Sequence, residues 1–405
     1  MSKELVYLLL IFALLVVPRA LQRFKIPAPI TSLLLGVGAM LAWGERTHDP
    51  VVVLLSALGI SSLFLFAGLE VELQGLRRGL GRLLAHLAIR SAAMALVGWL
   101  AWRYLQMGWQ AAALLALALL TPSTGFILDT LERLGLDQEE RFWVTNKAIA
   151  GEMLALAVLF VALQAGDPMQ FASASAAMVA LLVGLPLMFI ALGRWVMPHA
   201  PGSEFSLLVM VGMVAAYVTF HLGVYYLVGA FIAGLTARLL HERMPRLAST
   251  GNIHALRLFA TFFVPFYFFH AGTTISRDAL SWDALATGLA ITAVMVPLRI
   301  ALVWLQRRVL FRESNQSTIR VAVALSPTLV FTLVIADVLH ARFAIPGALF
   351  GGLVLYTTLN TLLPSLVLRQ PFDIDPIDAD ACPPEAPVEL SPSGSTPPSS
   401  PRAPS

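Results

Sequence analysis

Glu152 stands in the stretch NKAIAGEMLALAVLF, directly after Gly151 and ahead of an unbroken apolar run. A charge at the centre of a bilayer costs about 2.5–3.5 kcal/mol on insertion scales, so a carboxylate placed there needs a reason. Such a group can hold a proton or a metal cation, but not both at once. Mutually exclusive occupancy of one group is sufficient for exchange. Lys147, five residues earlier, is the nearest cation in sequence, and a buried ion pair that only fixes helix packing is the plainer alternative. Arg299, in AVMVPLRIALVWL, is a second charge expected at membrane depth. It requires an anion or aligned carbonyls, and Glu152 is the mid-span acid available; the plainer alternative is snorkelling to the nearer end of its helix.

Two segments interrupt their own apolar runs. LLTPSTGFIL (119–128) and ALSPTLVFTL (324–333) each place Ser/Thr-Pro-Ser/Thr in mid-run, at Pro122 and Pro327. Proline removes one backbone donor and displaces a carbonyl from the helical ladder. Lipid offers no replacement, so such backbone must be buried in protein or line a cavity. The freed carbonyls, with the hydroxyls of Thr121, Ser123, Thr124, Ser326 and Thr328, form a set of oxygen ligands suited to a cation or water. One such site reads equally well as a simple kink. Two at corresponding places point to a mid-membrane transport site.

These residues must be positioned by membrane helices. Of 405 residues, 58% are hydrophobic and 13% charged, against about 25% charged in soluble domains. The expected fold is an all-α polytopic membrane protein. Apolar runs predict thirteen transmembrane helices at about 4–22, 27–44, 50–70, 83–105, 110–130, 142–164, 171–197, 204–220, 224–240, 254–275, 281–305, 317–339 and 343–368. With the N-terminus outside and the C-terminus in the cytoplasm, alternate loops hold Arg19, Arg23, Lys25, Arg77, Arg78, Arg82, Arg133, Arg141, Arg194, Arg238, Arg243, Arg246, Arg307, Arg308, Arg312, Arg320 and Arg369 on the inner side. The outer side then holds Lys3, Arg46, Arg103, Arg277 and Arg342, a strong positive-inside bias. The net charge of +3 is therefore topological and implies no nucleic-acid partner.

The two breaks fall in helices 5 and 12, seven apart, so equivalent helices run in opposite directions. This predicts two inverted-topology six-helix repeats, about 4–164 and 204–368, joined by a linker helix at about 171–197. Residues 1–370 form the transport domain. From Pro371 to Ser405 the chain turns proline- and serine-rich and is expected to be a disordered cytoplasmic tail. The run Leu5–Val17 lacks a cleavage site after it and reads as a retained first helix. The lone Cys382 excludes an intrachain disulfide, and no nucleotide fingerprint or cofactor motif is present.

Other polar residues read more blandly. Arg90 and Arg257 lie nearer the inner ends of their helices. Asp129 and Asp337 follow the two breaks as access-funnel acids or as solvated helix ends. His270 reads as a hydrogen-bonded core histidine, and Glu70 as the inner end of helix 3.

The order of these features resembles the cation:proton antiporter superfamily, in particular the bacterial branch with Kef-like and NapA-like transporters. The matching stretches are IPAPITSLLLGVGAMLAWG, LFLFAGLEVEL, the broken TPSTG helix, the acidic sixth helix, VGAFIAGL, FFVPFYFFHAGTTIS and the basic residue of helix 11, together covering roughly residues 1–370. The resemblance implies crossed broken helices, elevator-like alternating access, a homodimer in the inner membrane, Glu152 in place of the ion-binding aspartate and Arg299 in place of the helix-11 cation. Where that branch carries a polar-acidic pair, this chain has Gly151-Glu152. One carboxylate beside an arginine that stays charged predicts electroneutral exchange of one monovalent cation, Na⁺ or K⁺, for one proton. The rivals are an anion transporter or channel using Arg299 and half-helix N-termini, a weakly active or regulatory homologue, a sensor, and a hydrolase using Ser123 or Ser326. The last lacks any G-x-S-x-G or H-E-x-x-H motif.

Overall fold

The computed structural model describes residues 3–44, 49–71, 79–241, 244, 245, 247 and 249–368. The expected tail at 371–405 and the loop cations Arg46, Arg77, Arg78, Arg243, Arg246 and Arg369 lie outside these residues. Fifteen α-helices are present among them and no strand: α1 (Lys3–Gln22), α2 (Ala28–Trp43), α3 (Pro50–Leu69), α4 (Leu80–Tyr104), α5 (Trp109–Leu120), α6 (Thr124–Thr130), α7 (Gln138–Gln164), α8 (Pro168–Trp195), α9 (Glu204–His221), α10 (Tyr226–Leu239), α11 (Thr250–Thr273), α12 (Trp282–Trp304), α13 (Asn315–Ala324), α14 (Leu329–Phe343) and α15 (Gly347–Val367).

Local signals set several of the boundaries. Asp49 and Asp167 accept hydrogen bonds from Val51 and Met169, and a proline opens each of these helices. Asp137 and Glu140 form a reciprocal capping box at the start of α7. Glu140 also pairs with Arg320 of α13 at 3.1 Å, which fastens two helices at one end.

Ten helical stretches are long and apolar enough to cross a membrane, or eleven when the pair α13–α14, bent by 45°, counts as one. The stretch Trp109–Leu134 is one of the ten and contains the first break. The expected spans at 27–44 and 224–240 are α2 and α10, of 16 and 14 residues. Both fall short of the roughly 20 residues that cross a bilayer unaided.

Five prolines, at 18, 186, 265, 297 and 364, sit inside continuous helices. Proline alone therefore does not break a helix here. At Pro122 and Pro327 it does, because the neighbouring segment supplies a partner: the Ser123 N–H donates to the Pro327 carbonyl at 2.8 Å. The two interrupted segments cross at this bond.

The helices around the crossing fall into two groups by their neighbours. α3 packs along α10 and α11, and α2 along α11. These pairs approach through glycine: a Cβ at Gly272 would lie 2.9 Å from the Gly36 Cα, and one at Gly234 would lie 3.1 Å from the Gly68 Cα. The second group joins α5 to α4, α7 and α14, and α15 to α12 and α14. α1 and α8 leave large apolar side chains outward, among them Leu8, Phe12, Val183 and Leu187.

Because backbone faces backbone at Gly234, a branched side chain has no room there. Gly234→Val is expected to lower the stability of the detergent-solubilised protein by about 1–3 kcal/mol, read as a fall in melting temperature, whereas Leu54→Val on the exposed face of α3 leaves it unchanged.

Candidate functional site

The site is built on the crossing. α5 ends at Leu120 with Thr121 in extended conformation, and α6 resumes at Thr124. α13 ends at Ala324 and α14 resumes at Leu329. Each interruption leaves carbonyls at the end of one half-helix with no partner in their own helix. The surrounding side chains take them. Arg299 donates to the Leu325 carbonyl at 2.9 Å, to the Leu119 carbonyl at 3.4 Å and to the Tyr356 hydroxyl at 3.1 Å. Tyr356 in turn donates to the Leu119 carbonyl at 2.7 Å, and Thr332 donates to that of Ala118 at 2.7 Å. Arg90 donates to the Leu120 carbonyl.

Arg299 is thus buried at 6% exposure on aligned carbonyls and not on Glu152. Hydrogen bonds to charged groups contribute about 1.5–3 kcal/mol each. Three of them outweigh an insertion cost of about 2.5–3.5 kcal/mol, so no carboxylate is needed. Lys147 also turns elsewhere: its Nζ donates to Gln306 Oε1 at 2.8 Å and lies 6.0 Å from the Trp143 ring centre. Residues five apart on an α-helix point about 140° away from each other, which separates Lys147 from Glu152. Among the described residues the ion pairs join Arg82 and Arg307 to Glu313, Arg257 to Glu132 and Arg320 to Glu140. Glu152 belongs to none of them.

Glu152 is buried at 1% exposure. Thr124 faces its carboxyl with both the hydroxyl and the backbone N–H. Neither Glu152 Oε2, nor the Oγ1 of Thr124, nor that of Thr121 has a hydrogen-bond partner of normal geometry. Three buried oxygens at the first break thus lack a well-formed hydrogen bond. Gly151 explains its own identity, since a Cβ there would lie 3.2 Å from Arg90 Nη1 and 3.5 Å from the Pro122 ring.

The second break is arranged differently. Thr328 Oγ1 is 2.9 Å from Thr357 Oγ1, and the Ser326 hydroxyl donates to the Asn360 carbonyl at 3.4 Å. These hydroxyls, counted as ligands on sequence grounds, are engaged with α15. Ser123 gives its N–H to the crossing itself.

Two cavities approach from opposite ends of α3 and α11. One, of about 390 Å³, is lined by Leu63, Gly125, Asp129, Arg257, Phe268 and Val330, and so reaches residues just beyond both breaks. The other, of about 120 Å³, holds Asp337, His270 and Tyr225, with the Tyr225 hydroxyl donating to Asp337 Oδ2 at 3.4 Å. Asp129 and Asp337 are thus cavity residues.

Sequence reasoning read Arg90 as a helix-end cation and passed over His86, Gln306, Tyr356 and Asn360. HLAIR (86–90) and YTTLN (356–360) do carry a signal, polar residues four apart inside apolar helices.

Among curated proteins none matches the chain in sequence. Solved structures of the sodium proton antiporter MjNhaP1 from Methanocaldococcus jannaschii do match in fold. One, determined at pH 8, is 15% identical with a TM-score of 0.64 over 91% of this chain and 96% of that one. Another, from an electron-microscopy map, is 15% identical with a TM-score of 0.62 over 90% and 95%. The description of one family, the transmembrane sodium/hydrogen exchangers, matches residues 8–372, nearly the whole helical part. With its helices, its crossed breaks and that match, this integral membrane protein belongs to the sodium/hydrogen exchanger family.

Proposed function

We propose that the chain exchanges one monovalent cation, Na⁺ or K⁺, for one proton by alternating access, with Glu152 as the shared site. Membership of the family makes it a cation and proton transporter rather than an enzyme. The observation that carries the assignment to Glu152 is its burial against Thr124 at the first break, where Glu152 Oε2 and the Thr121 and Thr124 hydroxyls all lack a well-formed hydrogen bond. A desolvated cation needs several oxygen ligands, and Glu152, Thr121 and Thr124 offer three. Ser123 adds to the set, with Gly151 leaving space for Pro122 and Arg90.

Electroneutrality follows from the company Glu152 keeps. A protonated carboxyl and a carboxylate holding a monovalent cation carry the same charge, and Arg299 is held on carbonyls rather than on that carboxyl. Thirteen spans, with α2 and α10 crossing alongside longer neighbours, complete two inverted repeats. The reciprocal contacts of Gly36 with Gly272 and of Gly68 with Gly234 support that symmetry, because they pair equivalent helices in both senses. The branch with Kef-like and NapA-like transporters, a homodimer, the bacterial inner membrane, an external N-terminus and a cytoplasmic tail rest on motif order and loop charge.

In proteoliposomes, Na⁺, K⁺ or Li⁺ gradients are expected to drive proton flux through the native protein. Glu152→Gln should reduce that flux to the level of empty vesicles. Equal flux from both proteins, or anion-dependent flux that survives the substitution, would remove the carboxylate from the mechanism.

Stoichiometry is read separately. A voltage-sensitive dye should report no potential during exchange, and a cation-dependent potential would overturn the one-for-one ratio. Because proton and cation compete for one group, acidification raises the cation concentration needed for half-maximal rate, about tenfold per pH unit once Glu152 is mostly protonated.

A further inference from the structure

His86 and Arg90 have no part in the exchange as described. Four residues apart on α4, they share one face, a turn from each other. Arg90, at 8% exposure, donates through Nη2 to the carbonyl of Leu120, the last residue of α5. Its Nη1 lies 3.4 Å from Nε2 of His86. The same Nη1 is the atom that a Cβ at Gly151 would meet at 3.2 Å, so Arg90 rests against the backbone beside Glu152. His86 Nδ1 is 3.2 Å from Gln306 Oε1, which also accepts from Lys147 at 2.8 Å. Gln306 Nε2 donates to the Arg82 carbonyl at 2.7 Å, closing a chain from one end of α4 to the crossing.

The partners dictate the direction of each bond. Guanidinium and ammonium groups only donate. Lys147 therefore fixes Oε1 of Gln306 as the acceptor, Arg90 makes Nε2 of His86 an acceptor, and Nδ1 carries the hydrogen that goes to Gln306. This assignment needs a neutral imidazole. An imidazolium donates from both nitrogens, and its Nε2–H would then point at the Arg90 guanidinium.

Among the described residues no acid pairs with His86 to compensate such a charge. Facing it are Arg90 from α4, Lys147 from α7 and Gln306 from the turn that follows α12. Arg299 of α12 borders a cavity of about 20 Å³ shared with His86, Arg90 and Leu120, and α13 and its end contribute Ala322 and Leu325. Glu313, the acid whose charge acts on Lys147, is held by Arg82 and Arg307.

We infer that Arg90 is a positioning residue, holding the end of α5 beside Glu152, and that neutral His86 is the clasp that keeps it there. A proton on His86 releases Arg90 from its place and slows exchange. This rests on the exchange proposed at Glu152, and it predicts something that competition at Glu152 does not. Competition is overcome by more cation, whereas a displaced α5 lowers the maximal rate itself.

Full-length protein in proteoliposomes, with symmetric buffers and Na⁺ as the probe, separates the two. At saturating Na⁺ the native maximal rate should fall on the acid side, approaching about tenfold per pH unit as His86 takes up its proton. A maximal rate that stays level in the native protein overturns the inference without recourse to any variant. His86→Gln keeps an acceptor and a donor but takes no charge, and its maximal rate should stay level while its requirement for Na⁺ still rises with acidity. A profile identical to the native one overturns the inference. Arg90→Gln should lose at least about tenfold in maximal rate, with Arg90→Lys recovering part of it. Full activity of Arg90→Gln sinks the positioning role. Glu152→Gln run alongside keeps the two readings apart: its activity would end the exchange proposal, whereas an unaltered His86→Gln profile ends this one alone.

Discussion

Two helices that stop in mid-membrane must place their free backbone groups somewhere, and the crossing of α5–α6 with α13–α14 is where they go. The carbonyl end of each half-helix carries about half a negative charge. Two such ends, at Leu119–Leu120 and at Leu325, meet the guanidinium groups of Arg90 and Arg299. The Tyr356 and Thr332 hydroxyls take carbonyls that the arginines do not, and the Ser123 N–H bridges directly to the other segment. An unsatisfied backbone group costs several kcal/mol at this depth. The crossing is therefore stable only as a set, with α4, α12 and α15 each supplying a member.

The form of the candidate site follows from that set. Arg90 can reach the Leu120 carbonyl because residue 151 has no side chain in its way, and the same absence lets Pro122 approach α7. A polar residue ahead of the acid would meet Arg90. The glycine that looked like a missing ligand is thus the space that the crossing occupies, and it leaves the carboxylate of Glu152 beside the break. In the exchange proposed above, replacing a proton by a single positive ion at that carboxylate leaves the charge beside both arginines the same in either occupied state.

The features legible in the sequence were those that interrupt a pattern. Pro122 and Pro327 stood out because hydroxyl residues flank each of them inside an apolar run, and Glu152 because an unbroken apolar run follows it. The pairings were not legible, for physical reasons. A carbonyl acceptor has no side-chain signature, so Arg299 was matched with the mid-span acid when backbone oxygens were its partners. Lys147 was judged by sequence distance, while helical rotation turned it toward Gln306. Arg90 was taken for a helix-end cation because its partner, Leu120, lies in another helix. The helix expected at 27–44 matches α2 to one residue at each end, where Pro27 and Gly44 flank it.

How such a molecule could open to each side alternately is a question of which contacts can slide. Within the group of α2, α3, α10 and α11, helices touch through backbone at Gly36, Gly68, Gly234 and Gly272. Close backbone contact of that kind has one register, and shifting it by a fraction of a turn drives a side chain into a main chain. Between this group and the crossed helices the contacts are of another kind. Leu63 lies against Gly125, the Phe64 and Phe331 rings sit 6.5 Å apart, and the Tyr225 hydroxyl meets Asp337 at 3.4 Å. These side chains can change rotamer at modest cost. The two cavities lie along this same seam, one toward each end of α3 and α11. For the exchange proposed here, the seam is where movement costs least. On the proposal of alternating access, the glycine-packed group is the fixed wall, and the crossing, with Glu152 beside it, is the part that moves.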